Sequence, residues 1–278
     1  MPLTDPFGPI PPLLETSDLD QALLYQDSHY YVFDKPGWIV CHPSKNGPLS
    51  SLAGAVREVY QQERVHLVSR LDRETSGLVI FARHRLAARH AQMAFEQQAV
   101  QKTYLCLLEG CLTENLRIDL PLGEDPNGPV RSKMRPLPHG GGQAARTEFL
   151  PISHGQRFTL CQALPTFGRK HQIRAHAAAA GYPVAGDKLY GPDPHLFLEF
   201  ASSGWNETLA SQLPLKRHAL HCFALRSEIP TFTCNLQAPF PQDWLDLILQ
   251  DQLILPGHLL QTPNSQLIHF SRPLGSET

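Results

Sequence analysis

With 278 residues, 42% of them hydrophobic and 18% charged, the chain has room for one large domain or two modest ones and for a sizeable buried core. No apolar run approaches the roughly 18 residues that cross a bilayer. The six cysteines, at 41, 106, 111, 161, 222 and 234, never form a C-x-x-C pair. Those features argue against a membrane protein, a disulfide scaffold or a cysteine zinc module, and a reducing cytoplasm is the expected location. The net charge of −2 is an average over acidic ends and a basic middle.

Residues 1–20 are proline-rich and acidic and read as an extended tail, without the basic start of a signal peptide. Tyr30 to Phe33 reads as a strand stopped by Lys35-Pro36-Gly37, and Trp38 to Cys41 as a second short one. Leu52, Val56, Val59 and Tyr60 recur at helical spacing, with Ser50 or Ser51 as N-cap. Leu78 to Ala82 fits a buried strand. His84 to Gln98 fits a helix with Leu86, His90, Met93 and Ala94 on one side. Thr103 to Leu108 is a further strand, and Glu124 to Gly142 a long basic loop. Thr147 to Ile152 and Phe158 to Leu164 pair around His154-Gly155, and Lys170 to Ala180 is helical, closed by Gly181. His218 to Arg226 reads as a strand and Pro241 to Leu255 as an amphipathic helix. Short strands interspersed with a few helices favour an α+β architecture.

Charge marks where function lies. Residues 64–102 carry seven basic residues against three acids, and residues 130–190 nine against two, whereas residues 227–278 carry one against five. A basic middle suits a polyanion held on one face. The densest cluster is Ser69-Arg70-Leu71-Asp72-Arg73-Glu74-Thr75-Ser76-Gly77, in a loop before a buried strand. A carboxylate among two arginines is expected to be ionised at neutral pH, which suits a nucleophile or general base. A turn capped by Asp72, with surface pairs to Arg70 and Arg73, would give the same composition. In the second cluster, Phe167 to His176, Gly168, Arg169 and Lys170 meet at a helix start, an arrangement suited to phosphate. The histidines carry no H-E-x-x-H pattern, and 218 and 221 would face opposite sides of a strand. Neither a metal site nor a nucleotide cofactor is therefore expected.

Taken together, these segments resemble the RluA-type family of pseudouridine synthases. The resemblance rests first on Arg70-Leu71-Asp72-Arg73-Glu74-Thr75-Ser76-Gly77-Leu78. In order along the chain it also includes Asp34-Lys35-Pro36-Gly37 with His42-Pro43, Lys102 to Leu105, Gly168 to His176, Gly186-Asp187-Lys188-Leu189-Tyr190-Gly191, and Arg217 to His221. It implies a pseudouridine synthase fold, with a mixed, largely antiparallel sheet and RNA over a central cleft. A catalytic domain over 21–228 is implied, followed by an acidic C-terminal extension over 229–278. By position, Asp72 would be the catalytic aspartate, Tyr104 would stack on a flipped uracil, and Arg174 would pair with Asp72. Arg70 would occupy the gap left by the flipped nucleotide, and Arg73, Thr75, Arg169, Lys170 and His171 would contact the RNA. The implied activity is isomerisation of specific uridines in structured rRNA or tRNA, without metal or cofactor, by a monomer with no membrane partner. The rival reading is a non-catalytic RNA-binding or RNA-folding protein on the same fold. Two positions depart from the family: Ser69 stands where a His is usual, and Lys170 where a Thr is usual.

Overall fold

In a computed structural model, which describes residues 11–261 and 267–269, thirteen strands and seven α-helices are described. The strands are β1 (Leu23–Gln26), β2 (Tyr30–Lys35), β3 (His66–Leu67), β4 (Ser76–Ala82), β5 (Gln101–Glu109), β6 (Leu116–Asp119), β7 (Leu122–Glu124), β8 (Met134–Pro136), β9 (Arg146–His154), β10 (Phe158–Pro165), β11 (Leu220–Ile229), β12 (Phe232–Gln237) and β13 (Leu267–His269). The helices are α1 (Thr16–Ala22), α2 (Leu52–Val59), α3 (Arg85–Glu96), α4 (Gln172–Ala179), α5 (His195–Ser203), α6 (Glu207–Gln212) and α7 (Leu245–Gln250).

The main sheet runs β1-β2-β4-β11-β5-β10-β9-β6, antiparallel throughout except where β4 and β11 lie parallel. That one parallel pairing is short, His221 to Ser76 and Cys222 to Gly77. Beyond it the sheet forks: β4 continues against β3, and β11 against β12. Gly77 is required at the fork. Its φ is 106°, and a Cβ there would stand 2.3 Å from the Cys222 carbonyl oxygen.

Strand β4 is buried along its whole length because helices cover both faces. Val79 and Phe81 pack with Tyr31 and Phe33 against α1 and α2, while Leu78, Ile80 and Ala82 pack against α3 and β12. The alternation follows from the two-residue period of a strand. Ser51 caps α2 as expected, its hydroxyl accepting from the Gly54 N–H. Helix α3 is capped by His84, but it turns its alanines inward: Ala87, Ala88, Ala91 and Ala94 are buried with His90, and Leu86 and Met93 are 37% and 41% exposed. Small side chains let the helix approach the sheet more closely than Leu and Met would.

Other expectations are corrected. Trp38 to Cys41 is not a strand: Trp38 has a positive φ of 79°, and Val40 makes a single bridge to Ser51. The basic loop is not all loop: it carries β8, which pairs with β7 just before it in a hairpin. The C-terminal helix is shorter, a 3₁₀ turn Gln242–Trp244 followed by α7. Within the expected tail, residues 1–10 lie outside the described residues, but Leu14 and Leu19 are buried against α2 and β2. The boundary expected at residue 228 runs through a hairpin. Strand β12 pairs with β11, Phe232 and Leu236 join the core beside α3, and Phe240, Trp244 and Ile248 join the core around β5 and β10.

Candidate active site

The loop between β3 and β4, residues 68–75, crosses the fork, and backbone contacts hold it from below. Ser69 is pinned to β4, its hydroxyl accepting from the Ile80 N–H at 3.3 Å. The Cys41 Sγ accepts from the Leu71 N–H at 3.3 Å. The turn itself closes through the Thr75 N–H to the Asp72 carbonyl at 3.2 Å. Beneath it, the fully buried Lys35 ammonium donates to the carbonyls of Pro36 and Ile39, both at 2.8 Å, and of Arg73 at 3.2 Å. Burial lowers its pKa to about 8, and three carbonyls satisfy its three N–H donors. This scaffold raises Asp72 into the cleft with 28% of its side chain exposed.

Arg174 comes to Asp72 from α4. Its Nη1 donates to Asp72 Oδ2 at 2.9 Å, while Nε and Nη2 form a two-pronged contact with Asp187 at 2.6 and 2.8 Å. Burial would raise the Asp187 pKa, but the charge and hydrogen bonds of Arg174 hold it well below the usual carboxylate range. Asp187 also accepts from the N–H groups of Leu189 and Tyr190. Arg174 is thus locked by Asp187 and offers Asp72 one remaining edge. Its guanidinium lies 5.1 Å from the centre of the Tyr190 ring.

His171 lies beside this pair, with Nε2 3.9 Å from Asp72 Oδ2 and Nδ1 3.1 Å from the Tyr190 hydroxyl. Burial, then the Arg174 charge, lowers its pKa to about 4, so the ring is neutral at pH 7. The Tyr190 hydroxyl accepts from the Met134 N–H at 2.8 Å and has its own proton free for Nδ1. In the tautomer that receives this proton on Nδ1, the ring's own proton sits on Nε2, facing Asp72.

Two residues on, Glu74 turns to the rear. It accepts from the buried Lys188 ammonium at 3.0 and 3.1 Å and from the His218 N–H at 3.2 Å. Lys188 lies 5.0, 4.6 and 5.8 Å from the ring centres of Trp38, Phe200 and Trp205.

The open side is a cleft of about 730 Å³. Tyr104, from β5, and Lys102 form part of its lining, and a recess of about 80 Å³ adjoins Tyr104, Asp72, Ile173 and Arg174. The Tyr104 hydroxyl bonds the Cys222 thiol, and burial pushes its pKa well above the usual phenol range. It is a proton donor, and unsuited to act as a base at neutral pH. Among the described residues no group of three or more His, Cys, Asp or Glu is arranged to hold a metal ion.

The structure therefore brings Asp72, Tyr104 and Arg174 to one recess. Arg70 is exposed at the cleft, and Lys170 is exposed on its rim. Arg73 borders the cleft but directs its Nε to the Trp38 carbonyl at 3.2 Å. Thr75, expected at the RNA, is buried with its hydroxyl 2.8 Å from His218 Nε2. Arg169 lies over Phe167 and donates to the Ala144 carbonyl. The expected helix-start phosphate site is displaced: α4 begins only at Gln172, after His171 in a left-handed conformation, and Gln172 Oε1 accepts from the Arg169 N–H. Sequence reasoning gave no role to Asp187, Tyr190, Glu74, Lys188 or Lys35. Their only signal was membership of motifs: Lys35 in Asp34 to Gly37, Glu74 in Arg70 to Leu78, and Asp187, Lys188 and Tyr190 in Gly186 to Gly191.

Comparison with known proteins gives this geometry a context. A family model described as RNA pseudouridylate synthase matches residues 29–179. An uncharacterized RNA pseudouridine synthase of Bacillus subtilis, YhcT, is 34% identical over 243 residues, covering 84% of this chain and 72% of its own. Ribosomal large subunit pseudouridine synthase D of Haemophilus ducreyi is 27% identical, covering 84% of this chain and 71% of its own. Among solved structures, human RNA pseudouridylate synthase domain containing 4 superposes with a TM-score of 0.66 at 22% identity, over 86% of this chain and 96% of its own. Human RNA pseudouridylate synthase domain containing 1 gives 0.63 at 24%, over 79% and 83%. These two likenesses establish the α+β fold.

Proposed function

The chain belongs to the RluA-type family of RNA pseudouridine synthases, and from that premise we propose that Asp72 carries the isomerisation, with ribosomal RNA of the large subunit as substrate. The observation that carries the reading is the Asp72–Arg174 pair at the mouth of a recess bordered by Tyr104. A uridine within folded RNA must leave its stack before its glycosidic bond can be reached, and the cleft is large enough for an extruded nucleotide. The Tyr104 ring stacks on the uracil, its orientation fixed by the bond to Cys222. Asp72 acts at the sugar carbon or its neighbour while the bond to N1 breaks, the base turns, and the same carbon joins C5. The C5 proton is lost and N1 gains one, so the reaction balances without oxidant, reductant or outside group. Arg174 aims the carboxylate through its hydrogen bond, and Asp187 keeps Arg174 aimed. Arg70, exposed at the cleft, stands at the gap left by the flipped nucleotide, Lys170 on the rim meets phosphate, and His171 lies beside Asp72 as a neutral ring. The protein acts as a cytoplasmic monomer. The relatives named for the large ribosomal subunit support the substrate.

Release of tritium from carbon-5-labelled uridine tests the reading. Purified protein is given unmodified large-subunit rRNA transcript and, separately, tRNA transcripts. Release from the rRNA transcript alone is expected; release from tRNA alone overturns the substrate, and release from neither overturns the activity on these RNAs.

A further inference from the structure

The acidic segment after residue 228 reaches the active-site loop through one arginine. Arg217, with a side chain only 6% exposed, donates from Nε and Nη2 to Asp243 at 2.6 and 2.8 Å. Its Nη1 donates to the Glu74 carbonyl at 3.1 Å. That carbonyl directly follows the Arg73 carbonyl held by Lys35, so two buried cations grip successive peptide groups of the turn that carries Asp72. Lys35 is fixed by the carbonyls of its own neighbourhood, whereas Arg217 takes its orientation from the carboxylate of a distant segment. Trp244, next to Asp243, is buried against His221 and Phe240 with ring centres 6.4 and 5.8 Å away, which anchors the carboxylate to the core. Gly37 leaves room for the arginine stem: a Cβ there would stand 2.6 Å from Arg217 Cδ.

We infer that Asp243 is a positioning residue for the isomerisation, aiming Arg217 so that its grip on the Glu74 carbonyl fixes the turn that presents Asp72. The inference rests on Asp72 as the catalytic residue. Without Asp243, Arg217 keeps its charge but loses the two bonds that set the plane of its guanidinium, and the turn gains freedom. A misplacement of about 1 Å at a reacting group can cost about 100-fold in rate. RNA binding, which rests on phosphate contacts in the cleft, is unaffected.

The test compares Asp243→Ala, Arg217→Lys, the double variant and Asp72→Asn by single-turnover isomerisation of RNA under saturating enzyme. Filter-binding affinity and thermal melting are measured for each. Asp243 has a side chain 46% exposed, and Asp243→Asn serves as the milder replacement should Asp243→Ala not fold. Expected is a 10- to 100-fold fall in single-turnover rate for Asp243→Ala, a smaller fall for Asp243→Asn, and RNA affinity within about twofold of the parent. The double variant is expected to be no worse than Arg217→Lys, because both break the same connection. Parental turnover by folded Asp243→Ala or Asp243→Asn overturns the inference, and so do losses that multiply in the double variant or appear only in affinity. Full activity in Asp72→Asn would instead overturn the assignment of Asp72, whatever the Asp243 variants do.

Discussion

On the front of the loop, Asp72 keeps 28% of its side chain exposed and takes one hydrogen bond from Arg174. On the rear, two residues later, Glu74 is 12% exposed, and an ammonium and a backbone N–H close around it. The difference lies in what the two cations are already doing. Arg174 is committed to Asp187 and meets Asp72 with a spare edge, so the front carboxylate retains lone pairs that face the cleft. Lys188 has Glu74 as its only carboxylate partner among the described residues, together with the Lys216 carbonyl. The front is arranged so that one carboxylate stays available to the cleft, and the rear so that none does. Buried ion pairs add little net stability, but they are costly to break halfway.

Replacing the front carboxylate should have the largest effect. Asp72→Asn is nearly isosteric and cannot act as an ionised nucleophile or base. Turnover is expected to fall by at least about 1000-fold, or about 4 kcal/mol in barrier, with melting and RNA affinity close to the parent. Single-turnover assays beside filter binding check it, and normal turnover would erase the contrast between front and rear.

The rear should answer in stability. Lys188→Met leaves Glu74 buried without its cation, a loss of about 3–5 kcal/mol and a melting temperature lower by on the order of 10 °C. Below the melting transition, turnover per folded molecule should stay within about tenfold of the parent. Adding Glu74→Gln should recover part of the lost stability, and calorimetry on the single and double variants decides. If Lys188→Met were as inactive as Asp72→Asn while folded, the division between front and rear would be wrong.

Tyr104 sharpens the picture of the front. Tyr104→Ala removes a stacking surface worth about 1–3 kcal/mol and should slow turnover correspondingly, whereas Tyr104→Phe removes only the bond to Cys222. A Phe variant as slow as Ala would show that the hydroxyl, and not the ring, is the working part.

The smallest effect concerns protons. His171 at the front and His218 at the rear are both held below the ordinary histidine range by burial, His171 at about 4. The unfolded chain therefore binds more protons than the folded one between about pH 4 and 6.5, so stability is lost as pH falls through that window. Melting temperature should decline from pH 7 to pH 5, and His171→Gln should flatten the decline by a few degrees. A slope unchanged in that variant would mean that His171 is charged in the folded protein.

Front and rear were not equally legible. Asp72, Tyr104 and Arg174 each stand in a short run of unusual composition, and the apolar run of β4 marked the strand that follows the loop. Their supporting partners stood in the quoted motifs too, Glu74 in the same run as Asp72, but their roles were not legible, because an ion pair between residues 74 and 188 leaves no local pattern. The Trp38 stretch misled for a related reason: four residues of strand-forming type are broken by one positive φ at Trp38, whose ring packs on the distant Phe200. The segment after 228 looked separable because its charge changes sign, yet its apolar positions fill both major cores. Charge reports the surface of a segment, and burial is decided by the residues between the charges.

The parallel contact between Ser76 and His221 joins residues 145 apart, and its consequence is kinetic. Such non-local pairings form late, because the loop they close must lose its freedom before any contact compensates. Until β11 inserts between β4 and β5, the turn carrying Asp72 lacks its seat at the fork. The elements β1, β2, β4 and the first three helices cannot make the recess by themselves, since Tyr104 comes from β5 and Arg174 from α4. A chain emerging from the ribosome is in that condition until more than 220 residues are available. Activity is thus a late event in folding, and a nascent chain can expose its basic middle to RNA before it is able to modify any.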